Sequence, residues 1–245
     1  VRGVWALEPS ERFYSSVSFG LDYKRFRNRI SLEDNNFTTP IEYYPFAFGY
    51  TGVLRSGAAT TQFDLGMRFA FRGWGSDSDE FGSNRAFARG QQFSFRVGAD
   101  HSQPLFAGID ARLRLGGQIS DQPLISNEQM SAGGLDSVRG YLEAEALGDS
   151  GWDASFELRS PSLFAEVAFV DELRIYGFVD GARLRLRQPL PDQNEAYSLG
   201  SAGLGLDLKL WKLFNGALVW ANALRDGPTT EAGHSRWLFR VWADF

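Results

Sequence analysis

The sequence contains no cysteine, which excludes disulfide frameworks, thiolate metal sites and thiol nucleophiles. It has only two histidines, His101 and His234, and three lysines, Lys24, Lys209 and Lys212. No run of 18 apolar residues occurs, so no segment reads as a membrane-crossing helix. There is no Gly-x-x-x-x-Gly-Lys phosphate loop and no His/Asp cluster at metal-ligand spacing, so neither metal nor cofactor is expected. An excess of positive charge is missing too. The 25 basic and 30 acidic residues give a net charge of −5, which does not support nucleic acid as a partner. Residues 1–7 lack the apolar core and small-residue cleavage site of a signal peptide, and the chain is expected to be a mature piece or a fragment of something longer.

Aromatic side chains are plentiful: 21 Phe, 7 Trp and 8 Tyr in 245 residues. That is heavy for a water-facing surface and typical of one that faces lipid and its interfaces. The basic residues other than the three lysines are arginines. Arginine keeps its charge and grips carboxylates bidentately, which suits a buried or channel-lining ion network.

The hydrophobic period is two almost throughout. In residues 62–72, Phe63, Leu65, Met67, Phe69 and Phe71 fall on one face, and Asp64, Arg68 and Arg72 on the other. About eleven such residues cross a bilayer as a tilted strand. The pattern predicts ten strands, near 12–26, 40–54, 57–72, 91–101, 107–119, 151–160, 172–187, 196–211, 213–224 and 236–245, with residues 1–7 the tail of another. Long polar connections (27–39, 73–90, 120–150, 188–195, 225–235) alternate with short ones, as in outer-membrane barrels with long external loops and short periplasmic turns. A soluble β-sandwich also alternates apolar and polar residues. Here the polar face is dense in Arg and Asp, and the apolar face carries Phe, Leu and Trp at nearly every second position. The expected fold is therefore all-β: an antiparallel transmembrane β-barrel portion spanning residues 1–245, with outer-membrane lipid around it.

Three stretches go further. The longest loop contains Gly133-Gly134-Leu135-Asp136-Ser137-Val138-Arg139-Gly140-Tyr141. After it come Gly148-Asp149-Ser150-Gly151-Trp152, leading into Glu157-Leu158-Arg159-Ser160-Pro161, and then Tyr176-Gly177-Phe178-Val179-Asp180-Gly181. Together these resemble the TpsB family of two-partner secretion transporters, of the haemolysin secretion/activation type, within the wider BamA-like superfamily. The resemblance implies a sixteen-strand barrel in the bacterial outer membrane, five of whose strands follow the motif loop. Five strands are predicted here after residue 150. The chain would be the C-terminal ten to eleven strands, with the periplasmic POTRA region outside it. The resemblance also implies that the loop 120–150 folds back into the lumen and that the Arg of Val138-Arg139-Gly140-Tyr141 meets an Asp on the inner wall, in a Phe-x-Asp-x-Gly motif two strands on. Carried over, Arg139 would meet Asp180, two residues after Phe178, although Gly181-Ala182 stands where the pattern has any residue and then Gly. The role implied is a lock holding a plug-like loop.

The residues allow part of this to be weighed independently. Arg174, Tyr176, Phe178 and Asp180 share one face of their strand, and Leu173, Ile175, Gly177 and Val179 share a lipid-compatible face. Asp180 is thus expected to point inward, with Glu157 a weaker second partner for Arg139. Beyond Gly181 the phase changes. Arg183, Arg185 and Arg187 would face lipid, at ~2–4 kcal/mol each at the bilayer midplane. A β-bulge near Gly181-Ala182 is therefore expected, unless the strand end already lies beyond the membrane. Gly133, Gly134 and Gly140 would permit positive φ and close approach to the wall. The other inward charges, such as Asp64, Arg68, Arg96, Asp100, Asp110, Arg112, Arg114, Asp153, Arg159, Arg174, Asp207 and Lys209, would form a hydrated wall of mixed sign. Trp237, Phe239, Val241 and the final Phe245 resemble the C-terminal signal read by the barrel assembly machinery.

Catalysis is not expected. His101 falls on the lipid-facing register, and His234 lies in a loop beside Ser235 without a fixed base–nucleophile pair. The expected function is export of a partner polypeptide, an adhesin or haemolysin, through the lumen. Two other readings share the barrel: a BamA-like insertase, and a plain diffusion pore with no special Arg–Asp contact.

Overall fold

A computed structural model describes residues 1–32, 35–164 and 166–244, with side chains described outside 27–39. The strands are β1 (Arg2–Ala6), β2 (Phe13–Leu21), β3 (Lys24–Leu32), β4 (Asn35–Tyr43), β5 (Phe46–Ser56) and β6 (Ala59–Ala70). A helix, α1 (Ser78–Asn84), precedes β7 (Gln92–Pro104) and β8 (Asp110–Ser120). The motif loop holds a 3-10 turn (Ser126–Glu128) and two short strands, β9 (Met130–Ala132) and β10 (Ala146–Gly148). The rest are β11 (Ser150–Arg159), β12 (Val170–Arg185), β13 (Ala196–Leu210), β14 (Phe214–Ala223) and β15 (Ser235–Ala243).

Eleven of these form one antiparallel sheet in the order β1-β2-β5-β6-β7-β8-β11-β12-β13-β14-β15. Each strand pairs with its sequence neighbour in the sheet, the up-and-down meander of a barrel wall. The outward face is apolar: Phe48, Val97, Leu115, Phe156, Val179 and Leu204 are all exposed. Aromatic rings gather at both ends of this face. At the long-loop end Phe46 stacks on Phe69 (5.2 Å) and meets Trp74 (5.6 Å). At the short-turn end Trp211 meets Phe169 (5.8 Å) and Phe214 (6.1 Å). Two such belts mark the two water–lipid interfaces of a membrane barrel.

Two expectations change. Residues 27–39 were expected to be a loop, with strands at 12–26 and 40–54. Instead β3 and β4 pair over Lys24–Tyr43 as a hairpin outside the main sheet. Phe26, Ile30, Phe37, Ile41 and Tyr43 do fall at alternate positions, but Asn28, Thr39 and the polar run of residues 33–36 interrupt that face, which is why the segment read as a loop. The bulge expected at Gly181-Ala182 is also absent. The β12–β13 ladder runs unbroken from Glu172↔Lys209 to Arg185↔Ala196, and its only shift lies at Val170/Glu172. Arg183 and Arg185 do face outward and are exposed, at the long-loop end where the lipid penalty falls. The inward residues there, Ala182 and Leu184, are buried with Val138, Tyr141, Ala146 and Leu199. The phase change is thus the footprint of a loop packed on the inner wall.

The remaining connections carry their own order. Asp77 caps α1: its Oδ1 accepts from the Asp79 and Glu80 backbone N–H groups, and the Glu80 carboxylate accepts from the Asp77 N–H. Phe81 of α1 is buried with Ile41, Tyr43, Ala70, Ala88 and Ile125. This second core joins the hairpin base, α1 and the motif loop above the sheet.

Candidate functional site

The β8–β11 connection runs back along the inner wall. Its turn closes on Ser137, whose Oγ accepts from Gly133 N–H (2.8 Å) and donates to the Gly133 carbonyl (3.0 Å). Gly133 has φ +112°, and a Cβ there would lie 2.3 Å from the Leu142 carbonyl oxygen, so glycine is required. Gly140, at φ +95°, is the next reversal, and it rests against Ala221 and Ala223 of β14. That left-handed residue sends its neighbours apart. Arg139 reaches towards β11 and β12, and the Tyr141 hydroxyl lies 2.9 Å and 2.8 Å from the carbonyl oxygens of Gly200 and Arg225. Val138 and Tyr141 are fully buried.

Arg139 uses four of its five guanidinium N–H donors, and its backbone N–H, on the wall. Its backbone N–H and Nε donate to Asp180 Oδ2 (3.0 and 2.8 Å), and Nη2 donates to Asp180 Oδ1 (2.7 Å). Nη2 also donates to Ser155 Oγ (2.9 Å), and Nη1 to Glu157 Oε1 (2.6 Å). The guanidinium lies 3.5 Å above the centre of the Phe178 ring. Glycines on β13 make room for this platform. A Cβ at Gly203 would sit 2.6 Å from Phe178 Cζ, and one at Gly205 would sit 2.1 Å from Tyr176 Cζ. Arg139 is 4% exposed and Asp180 3%. A buried pair of this kind adds little net stability, but removing one partner strands a charge at a cost of about 3–5 kcal/mol.

The ion network continues down the wall. Glu157 Oε2 accepts from Arg159 (3.3 Å), which also pairs with Asp207 and lies 4.6 Å over the Tyr176 ring. Arg112 pairs with Asp100 (2.6 Å), and Arg174 with Asp110 (2.5 Å). Glu157 is therefore a direct partner of Arg139 and the hinge between the motif contact and the wall charges.

Three further carboxylates, not singled out by sequence reasoning, fasten the same loop. Glu145 Oε1 accepts from the Thr229 and Thr230 backbone N–H groups (3.0 and 2.7 Å). Its Oε2 accepts from Thr230 Oγ1 (2.6 Å) and Leu142 N–H (2.7 Å). Asp149, fully buried, accepts from Arg85 through both oxygens and from the backbone N–H groups of Leu124 (2.8 Å) and Arg187 (2.7 Å). Glu128, also buried, takes Lys24 of β3, Tyr43 of β4 (2.5 Å) and Arg68 of β6 (3.1 Å). Burial alone would raise the Glu128 pKa, but Lys24, Tyr43 and Arg68 outweigh it and hold the carboxyl below its ordinary value. Burial likewise opposes, and the Thr230, Leu142 and Thr229 hydrogen bonds overcome, so that Glu145 is also lowered. Only Asp149 carried a sequence signal, since it lies in the Gly148-Asp149-Ser150-Gly151-Trp152 stretch. Glu128 and Glu145 sit amid irregular loop sequence with no periodicity to expose them.

The histidines fall elsewhere. His101 Nδ1 is 2.8 Å from Thr61 Oγ1 on the outward register, and His234 lies in the β14–β15 turn, where its N–H donates to the Glu231 carbonyl. Trp237, Phe239 and Val241 project outward from β15, and Phe245 lies outside the described residues.

The profile of the haemolysin secretion/activation proteins ShlB/FhaC/HecB matches residues 6–210. The chain belongs to this family. Its outer-membrane setting follows, and the aromatic belts agree with it. CdiB from Escherichia coli has a similar solved structure, at a TM-score of 0.81 and 21% identity, covering 98% of this chain and 44% of CdiB. BamA from Haemophilus ducreyi lacking POTRA domains 1-3 is similar at a TM-score of 0.71 and 14% identity, covering 99% of this chain and 53% of that one. These identities speak to fold alone. The chain spans less than half the length of the CdiB structure it matches. No curated protein sequence matches it.

Proposed function

We propose that this chain is the translocating barrel portion of a two-partner secretion transporter, which passes a partner polypeptide across the outer membrane through its lumen. The observation that carries this reading is the buried Arg139, which ties the motif loop to Asp180, Glu157 and Ser155 on the wall. Among the loop's anchors this ion cluster is the one that ties the motif itself to the inner wall, and so a defined release point for a plug. The partner would be a secreted adhesin or haemolysin, and the paired, mixed-sign wall would let an unfolded polar chain slide without lodging. No chemical step, metal or cofactor enters this mechanism. The outward Trp237, Phe239 and Val241 are the side chains that the barrel assembly machinery would read during insertion. Secretion of the partner by the whole protein tests the reading. Arg139→Ala and Asp180→Ala should each stop export while the barrel still inserts, and unchanged export from both would refute it.

A further inference from the structure

At the long-loop rim, on the lipid side, the sheet carries a niche of about 580 Å³ bordered by Phe87, Arg89, Ile119, Arg185 and Arg187. Ile119 and Arg185 lie on the outward, exposed face of β8 and β12. One register step deeper, Arg183 faces outward opposite Trp152, which is exposed. The niche thus has Ile119 exposed towards the membrane and Arg89 and Arg187 at its water edge, with Trp152 and Arg183 just below it.

The two carboxylates in it are already engaged. Glu195 pairs with Arg185, and Asp121 Oδ1 accepts from the Phe93 backbone N–H (2.9 Å). Among the described residues the guanidinium groups of Arg89, Arg183 and Arg187 have no partner. The backbones that carry Arg89 and Arg187 are held nonetheless. The Arg187 N–H is held by Asp149, and the Arg89 carbonyl by Gln122 Nε2 (3.0 Å). Phe87 (φ +67°) and Gln188 (φ +48°) border the niche in the left-handed region, a strain that a surrounding structure must sustain. Unpaired arginines on a held backbone, beside exposed apolar side chains, are complementary to the phosphate group of an acylated lipid.

We infer that this niche binds the phosphorylated glycolipid headgroup of the outer leaflet, lipopolysaccharide. Arg89 and Arg187 take phosphate oxygens, and Phe87 and Ile119 meet the first acyl methylenes. The site needs only the outer-membrane setting and is independent of the motif loop's role.

The test uses the whole protein purified from outer membranes into detergent, with wild type compared with Arg89→Ala/Arg187→Ala. Folding of each is checked by heat-modifiable gel mobility. Three probes separate the sources: lipopolysaccharide, the same glycolipid stripped of its phosphates, and inorganic phosphate. Wild type should retain lipopolysaccharide, bind the stripped glycolipid about tenfold more weakly, and hold no inorganic phosphate at equal concentration. The double variant should lose about tenfold for lipopolysaccharide alone, and Arg89→Lys/Arg187→Lys should fall between. Equal binding of stripped and intact glycolipid, equal binding by the folded double variant, or inorganic phosphate bound as tightly as the glycolipid would each overturn the inference.

Discussion

Arg139 donates at once to Asp180, Glu157 and Ser155, so its replacement strands two carboxylates against a wall that has excluded water. Arg139→Ala and Asp180→Ala should each destabilise the docked loop by about 3–5 kcal/mol, read as a lower unfolding midpoint in denaturant. Asp180→Asn keeps the shape and should lose nearly as much, because Arg139 then retains only Glu157 as a counter-charge. Gly203→Ala is a subtler probe. Its methyl would press within 2.6 Å of Phe178 and 2.1 Å of the Trp220 carbonyl oxygen, so the ring under Arg139 must move. It should weaken the docked loop measurably while Gly216→Ala, with open space around its Cβ, should not. At this scale the sequence was partly legible. The inward register of Asp180 followed from period two, and its partnership with Arg139 from the family-like motifs. Glu145 and Glu128 were hidden because their partners are backbone N–H groups and distant strands, which no local pattern encodes.

At the scale of elements, the motif loop clamps several others through carboxylates. Glu128 joins β3, β4 and β6, while Glu145 joins the β14–β15 turn. Both carboxyls are held below their ordinary value, so their contribution is complete above that value and is lost as pH falls through the lowered one. Protection from hydrogen exchange at Ile41, Tyr43 and Thr230, taken relative to the intrinsic rate at each pH, should thus hold steady from about pH 7 to the ordinary glutamate range and fall only below it. Glu128→Gln should raise exchange at Ile41 and Tyr43 already at neutral pH, and leave Thr230 unchanged. The lipid-crossing strands were legible because each must alternate. The β3–β4 hairpin and α1 were less legible, because their few apolar residues (Ile41, Tyr43, Phe81) pack on a small core above the sheet and do not make a continuous lipid-facing stripe. The absent bulge at Gly181-Ala182 has the same lesson: an apolar inward stretch signified a loop on the wall, which strand periodicity alone read as a slipped register.

For the molecule as a whole, an eleven-strand wall with aromatic belts at both ends is closed on its inner side by one loop with several anchors. The anchors differ in kind: Tyr141 and Glu145 grip backbone, whereas Arg139 grips side-chain charge. Competition for charge would release the second without dissolving the first. The most direct measurement is planar-bilayer conductance of the whole protein, comparing wild type with Arg139→Ala and Asp180→Ala. Both variants should insert and show altered gating, with longer or larger openings than wild type. Conductance and gating unchanged in both would contradict this, and the contact between Arg139 and Asp180 would then be structural without controlling the pore.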